Sequence, residues 1–136
     1  MVRCALEPLY IVLLHRVRTK WGIEISRSAS IGPSCYIGHF GGITIGPAII
    51  GRRCSISQGV TIGVSGRGEK EGLPTIGDDV YLGPGAKLFG KITIGHNVKI
   101  GANAVVYKDV EDNAVIAAPG FIVLSHEGNK RSAAKF

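Results

Sequence analysis

Residues 76–106 read IGDDVYLGPGAKLFGKITIGHNVKIGANAVV. An aliphatic residue returns at every sixth position: Ile76, Leu82, Leu88, Ile94, Ile100 and Val106. Two places before most of them stands a small or β-branched residue, as at Val80, Ala86, Val98 and Ala104. A period of six fits no helix, whose faces recur at 3.6 residues. It fits very short strands joined by turns, with the aliphatic side chain pointing into a narrow core and the small residue fitting the corner. Glycine follows directly at Gly77, Gly83, Gly95 and Gly101. It is expected there to give the turns backbone freedom.

The rhythm extends upstream. Ile25, Ile31, Ile37 and Ile43 are six apart, and Ile50, Ile56 and Ile62 resume after one extra residue. Ile62 to Ile76 spans fourteen residues, two more than two repeats need. The stretch between, GVSGRGEKEGLPT at 63–75, is polar, charged and glycine-rich, and reads as a loop thrown out from the repeat. Three six-residue strands close one triangular coil. The pattern over residues 23–118 resembles the single-stranded left-handed parallel β-helix of the hexapeptide-repeat proteins, an all-β fold. A β-sandwich with regular turns is the alternative, and thirteen aliphatic positions in register argue against it. Such a coil has open ends and a small core, so assembly is expected.

The chain of 136 residues suits one domain: a helix over 1–22, the coil over 23–118 and a tail over 119–136. Leu6, Leu9, Leu13 and Val17 recur at helical spacing, with Arg3, Arg16, Arg18 and Lys20 elsewhere on the wheel and Pro8 in the first turn. This short N-terminal α-helix is expected to cap the coil and hide its core. The alternative is a basic amphipathic helix lying on a membrane. The tail, with His126, Lys130, Arg131 and Lys135, has no periodicity.

Hydrophobic residues make up 45% and charged residues 19%, which excludes a disordered charged tail. The net charge of +6 favours anionic partners. Nucleic acid is set aside because no basic stripe carries interleaved aromatics. Cys4, Cys35 and Cys54 form neither a disulfide framework nor a zinc motif, so no metal is expected and a reducing cytoplasm fits. The longest apolar run, Leu9–Leu14, is too short to span a bilayer.

Of four histidines, His15 falls on the helix, His126 in the tail and His96 at a turn. His39 stands apart, flanked by Gly38, Gly41 and Gly42 with only Phe40 between. Repeat logic alone leaves it evenly divided between a turn residue and a functional one. The runs GHFGGITIG (38–46), SISQGVTIG (55–63) and IGDDVYLGPGAK (76–87) resemble the catalytic half of the serine acetyltransferases. The resemblance implies transfer of acetyl from acetyl-CoA to a hydroxyl by a homotrimer with active sites between subunits. It implies His39 as general base and places Glu24, fifteen residues earlier, where the family has an Asp that orients the histidine. It also implicates Gly63, Gly66, Gly83, Pro84, Gly101 and Ala102 in holding acetyl-CoA. Arg67, Lys70, Lys87 and Lys108 are candidate phosphate partners by composition.

Departures from the family bear on the acceptor. Gly38 stands where the family has an Asp, and Gly72-Leu73 where it has Arg-His. The family's long N-terminal helical domain and C-terminal isoleucine tail have no counterpart in these residues. These changes favour a sugar or other small-molecule hydroxyl, with serine as the alternative. A zinc enzyme on the same coil, like the γ-type carbonic anhydrases, would need partner histidines that His39 lacks. A trimeric scaffold without catalysis is the remaining class.

Overall fold

The computed structural model describes residues 2–65 and 71–119. It is a left-handed parallel β-helix of about five coils preceded by one helix, α1 (Val2–Trp21). Coil one holds β1 (Ile23–Ile25), β2 (Ser30–Ile31) and β3 (Tyr36–Gly38); coil two holds β4 (Ile43–Ile45), β5 (Ile49–Ile50) and β6 (Ser55–Ser57). Coil three holds β7 (Thr61–Gly63), β8 (Thr75–Ile76) and β9 (Tyr81–Leu82). Coil four holds β10 (Lys87–Phe89), β11 (Thr93–Ile94) and β12 (Lys99–Ile100), and β13 (Val105–Val106) and β14 (Val115–Ile116) follow. Three parallel sheets result: β1-β4-β7-β10-β13, β2-β5-β8-β11 and β3-β6-β9-β12-β14.

The repeat forms this shape because each six-residue step places one aliphatic side chain inward. Ile45, Ile62 and Leu88 stack on the first sheet, Ile50, Ile76 and Ile94 on the second, and Ile56, Leu82 and Ile100 on the third, each at most 2% exposed. Each such burial contributes about 1.5–3 kcal/mol. The small residues fill the corners, as Cys54 and Val80 do at 0% and 1% exposure. Burial pushes the Cys54 thiol up to about 11.

The glycines after the aliphatic positions serve a different purpose from the one expected. Gly32, Gly51, Gly77 and Gly95 lie outside the left-handed region of φ. A Cβ at Gly51 would stand 2.4 Å from the Gly77 carbonyl oxygen, and one at Gly77 would stand 2.7 Å from that of Gly95. Close approach of stacked coils excludes side chains there. Left-handed φ falls instead on the following turn residue, at Ser34, Arg53, Asp79, Asn97 and Asn113. That corner is laced by charge. Arg52 donates from its backbone N–H to Asp78 at 2.8 Å and from its guanidinium at 2.8 and 3.1 Å, and Arg53 pairs with Asp79 at 2.6 Å. Both carboxyls are held below the usual range by these bonds. Below them, His96 Nδ1 accepts from the Asp78 N–H at 3.0 Å.

The register also relocates the break in the repeat. Ile25 pairs with Ile45, and Ile45 with Ile62, so Ile45 rather than Ile43 continues the column. Ile37 to Ile45 spans eight residues, whereas the equivalent steps from Ile56 to Ile62 and from Leu82 to Leu88 span six. The step from Ile45 to Ile50 is one residue short, with the Ala48 N–H donating to the Gly46 carbonyl at 2.7 Å. Two residues are therefore inserted at the corner holding His39, and one is removed at the next.

Helix α1 also differs from expectation. The inward positions are Glu7, Tyr10, Leu14 and Arg18, against the first coil and the Thr44–Pro47 corner. Leu9, Leu13 and Val17 are 55%, 51% and 39% exposed, and the side chain of Leu6 lies outside the described residues. The helix is thus turned by about 100°, one residue's rotation, from the face that apolar spacing indicates. Two polar anchors set that rotation. Arg27 donates to Glu7 at 3.0 Å and covers the Tyr10 ring at 4.9 Å, and Arg18 bonds Glu24 at 2.7 Å. The core of coil one is not hidden, since Ile31 and Ile37 each remain 38% exposed. No helix among the described residues is long and apolar enough to cross a membrane.

Candidate active site

His39 is one of the two residues inserted between β3 and β4. Gly42 and Gly59 continue the regular corner, and the Gly59 N–H donates to the Gly41 carbonyl at 2.8 Å. The insertion therefore stands out from the stack, and His39 is exposed at a left-handed φ of 61°. Histidine tolerates this conformation better than a β-branched residue. Phe40 pins the insertion by meeting Trp21 edge to face, with ring centroids 4.6 Å apart. The glycines on either side do distinct work. Gly41, at φ 118°, has nothing within 4 Å of a Cβ, whereas a Cβ on Gly38 would meet the Tyr36 ring at 2.9 Å.

Several other sequence candidates gather at the same corner. Gly38 pairs in register with Ser57, so Gln58 leaves the ladder beside His39. The Gln58 carbonyl accepts the Gly85 N–H at 2.9 Å, and the Pro84 carbonyl accepts the Asn103 N–H at 2.8 Å. This brings Gly83, Pro84, Gly101 and Ala102 into the coils stacked beyond Gln58. Lys87 turns back into the corner, its ammonium donating to the Gly59 carbonyl, rather than reaching outward for a phosphate. Gly83 is blocked from carrying a side chain by the Ile100 carbonyl oxygen at 2.7 Å.

Glu24 lies on the outward side of β1, in the column Glu24, Thr44, Thr61, Lys87 and Val105. Its Oε1 accepts from Arg18 Nη2 at 2.7 Å, and no hydrogen bond joins it to His39 among the described residues. Gln58, within the run 55–63, carries no signal in the repeat that marks it as functional. Gln58 Oε1 is buried and accepts no hydrogen bond from the described residues. A buried amide oxygen without a donor costs about 1–3 kcal/mol, so its retention is informative.

Gly63 lies at the C-terminal end of β7, the central strand of the first sheet, where the loop leaves the coil. Ser65 and Gly72 bridge antiparallel and make a neck, while Gly66, Arg67 and Lys70 lie outside the described residues. Beside the neck opens a cleft of about 410 Å³ lined by Ser65, Phe89, Lys91, Tyr107, Lys108 and Asp109. The cleft presents two ammonium groups, two aromatic rings and the Asp109 carboxylate, and Lys108 among them is one of the four cations that composition nominates. Lys91, Phe89 and Tyr107 escape sequence reasoning because residues 89–91 and 107 occupy ordinary repeat positions. Among the described residues, no cluster of histidine, cysteine and carboxylate could hold a metal.

The corner insertion, the neck and the stacked coils define a hexapeptide-repeat acyltransferase fold. The family model for bacterial transferase hexapeptide repeats matches residues 74–108. Serine acetyltransferase of Synechococcus elongatus is 42% identical over 114 residues, covering 82% of this chain and 47% of the relative. That of Bacillus subtilis is 42% identical over 107 residues, covering 77% and 49%. Among solved structures, Neisseria gonorrhoeae serine acetyltransferase in complex with serine superposes with a TM-score of 0.73 at 35% identity, covering 82% of this chain and 46% of that one. Entamoeba histolytica serine acetyltransferase isoform 3 in complex with cysteine gives 0.72 at 38%, covering 83% and 42%. The chain belongs to the serine acetyltransferase-like hexapeptide-repeat acyltransferases and spans about half the length of the curated relatives it matches.

Proposed function

We propose that this chain catalyses acetyl transfer from acetyl-CoA to a hydroxyl, with His39 as general base. The observation that carries this reading is the two-residue insertion that lifts His39 out of the coil at the corner shared with Gln58. Neutral imidazole takes the acceptor's hydroxyl proton as the oxygen attacks the thioester carbonyl carbon. The carbon–sulfur bond then breaks and the imidazolium returns its proton to the leaving thiolate. An O-acetyl ester and CoA result. Gln58, whose amide oxygen is buried and unpaired among the described residues at the same corner, is a candidate positioning residue. Glu24 is a further positioning candidate if Arg18 releases it. Lys91 and Lys108 in the cleft at the neck meet the phosphates, and Gly63, Gly83, Pro84, Gly101 and Ala102 let the pantetheine arm lie against backbone.

Within one chain His39 stands on an open surface, so the site's remaining wall comes from a neighbouring subunit of a homotrimer. Tyr36, Tyr81 and Val115, which project 66%, 43% and 73% exposed from the third sheet, support such assembly. Serine is the acceptor that the relatives support, since each is a serine acetyltransferase and one was solved with serine. One observation favours a sugar hydroxyl instead: Gly38 supplies no carboxylate beside His39 to meet an ammonium, and the exposed Tyr36 ring lies over that position.

The test is thiol release from acetyl-CoA with L-serine, against sugar acceptors and a blank. His39→Ala is expected to lose about 100- to 10,000-fold in kcat while the assembly persists. Unchanged turnover in that variant removes His39 from the mechanism. Release with sugars but not serine reverses the order of acceptors.

A further inference from the structure

Helix α1 carries two unlike faces. Its inner side is fixed to the coil by the Glu7–Arg27 and Arg18–Glu24 pairs and by Trp21 against Phe40. With those contacts made, the apolar residues of the other side face outward. Its outer side presents Leu9, Val12, Leu13 and Val17, exposed by 55%, 50%, 51% and 39%. On a helical wheel Arg16 and Lys20 share that side, one and a half turns further on. Between residues 8 and 20 there is no Asp or Glu, while His15, Arg16, Arg18 and Lys20 supply the polar groups.

We propose that this outer face docks on an anionic lipid surface. The chemistry is that of an interfacial helix: an apolar half that enters the acyl boundary, and a cationic end whose long side chains reach the headgroups. The helix lies on the surface rather than through it, since it is neither long nor apolar enough to cross. The net charge of +6 adds attraction to an anionic leaflet. Charge decides against a second copy of the chain on this face. A self-complementary contact would bury Arg16 and Lys20 of both copies in one seam, with no carboxylate on the face to pair them. The proposal does not depend on which hydroxyl is acetylated. Its consequence is that an acceptor held at a membrane surface would lie within reach of the same molecule.

The experiment is co-sedimentation of the full chain with phosphatidylcholine vesicles and with vesicles containing about 30% phosphatidylserine. Partition is expected to be at least about tenfold stronger on the anionic vesicles and to be lost at roughly 0.5 M salt. Leu13→Glu and Arg16→Glu are each expected to abolish it. Leu13 and Arg16 are solvent-exposed and lie away from the Trp21–Phe40 contact that pins the His39 corner, so circular dichroism and acetyl transfer remain as in the parent chain. Absence of binding, or equal binding to neutral vesicles, overturns the proposal. So does a fall in assembly mass for Leu13→Glu without any vesicle effect, which would make the face a protein contact.

Discussion

Replacing Gly51 by alanine separates two explanations of the repeat's glycines, because they differ in sign. If Gly51 served only conformational freedom, alanine at its ordinary φ would stabilise the protein by about 0.4–1 kcal/mol through the unfolded chain. The structure indicates the reverse. The new Cβ would meet the Gly77 carbonyl oxygen at 2.4 Å, its carbon at 2.5 Å and Asp78 Oδ1 at 2.5 Å. Two of those atoms are backbone of the next coil, held by the Gly77 N–H bond to the Ile94 carbonyl at 2.8 Å. The coils must therefore separate locally by about 1 Å against a ladder repeat near 4.8 Å. Overpacking of this kind costs about 1–3 kcal/mol, and the entropy gain offsets little of it. A net loss of about 2 kcal/mol lowers Tm by roughly 6–8 °C in a chain of this size. Urea unfolding followed by circular dichroism, at fixed protein concentration, measures it. A Gly51→Ala chain as stable as the parent, or more so, would refute the close-stacking account.

Gln58→Leu is expected to leave the unfolding midpoint unchanged or raised, since it removes an orphaned buried oxygen. The same variant is expected to lower kcat about tenfold with little change in KM for acetyl-CoA, and unchanged kcat would make Gln58 a passive corner residue. The depressed carboxyls of Asp78 and Asp79 contribute stability that is present above the usual Asp value of 3.8 and is lost as pH falls through their lower folded values. Asp79→Asn is therefore expected to flatten the decline of Tm below pH 4; an undiminished decline would place acid sensitivity elsewhere. Iodoacetamide at pH 8 is expected to leave native Cys54 unlabelled, its thiol being buried and raised to about 11. Prompt labelling, read by peptide mass spectrometry, would mean that the coil stack opens.

The coil was legible because its inward positions obey one rule. Ile62, Leu88 and Ile100 are 0% exposed, and each lies where the period of six puts it. Periodicity alone was silent about errors that cancel. Two residues gained at the His39 corner and one lost at the next sum to a single extra residue, which spacing cannot divide. Only the pairing of Ile25 with Ile45 shows where each change sits. The helix failed for a related reason. Apolar spacing ranks Leu9 and Leu13 as the buried side, yet Arg27 binds Glu7 from twenty residues away and also covers the Tyr10 ring. A long-range polar anchor overrides a local apolar pattern, and no window of sequence contains it.

The candidate site divides along the same line. His39 was conspicuous because glycines surround it, and those glycines mark an insertion. Lys91, Phe89 and Tyr107 occupy regular repeat positions and become a cleft only because the neck at Ser65 and Gly72 stands beside them. Chemistry carried by an interruption of the repeat is visible in sequence; chemistry carried by the repeat itself is not. Acceptor choice turns on the same distinction. A chain with the inserted histidine but no carboxylate at Gly38, where the exposed Tyr36 ring lies instead, trades one place from which to grip an ammonium for an aromatic surface. Tyr36→Ala tests that trade directly. If the ring excludes a serine ammonium by bulk alone, removing it should raise kcat/KM for serine without altering transfer to a sugar. If the missing carboxylate is what matters, Tyr36→Ala alone will do nothing, and only the added Gly38→Asp will help.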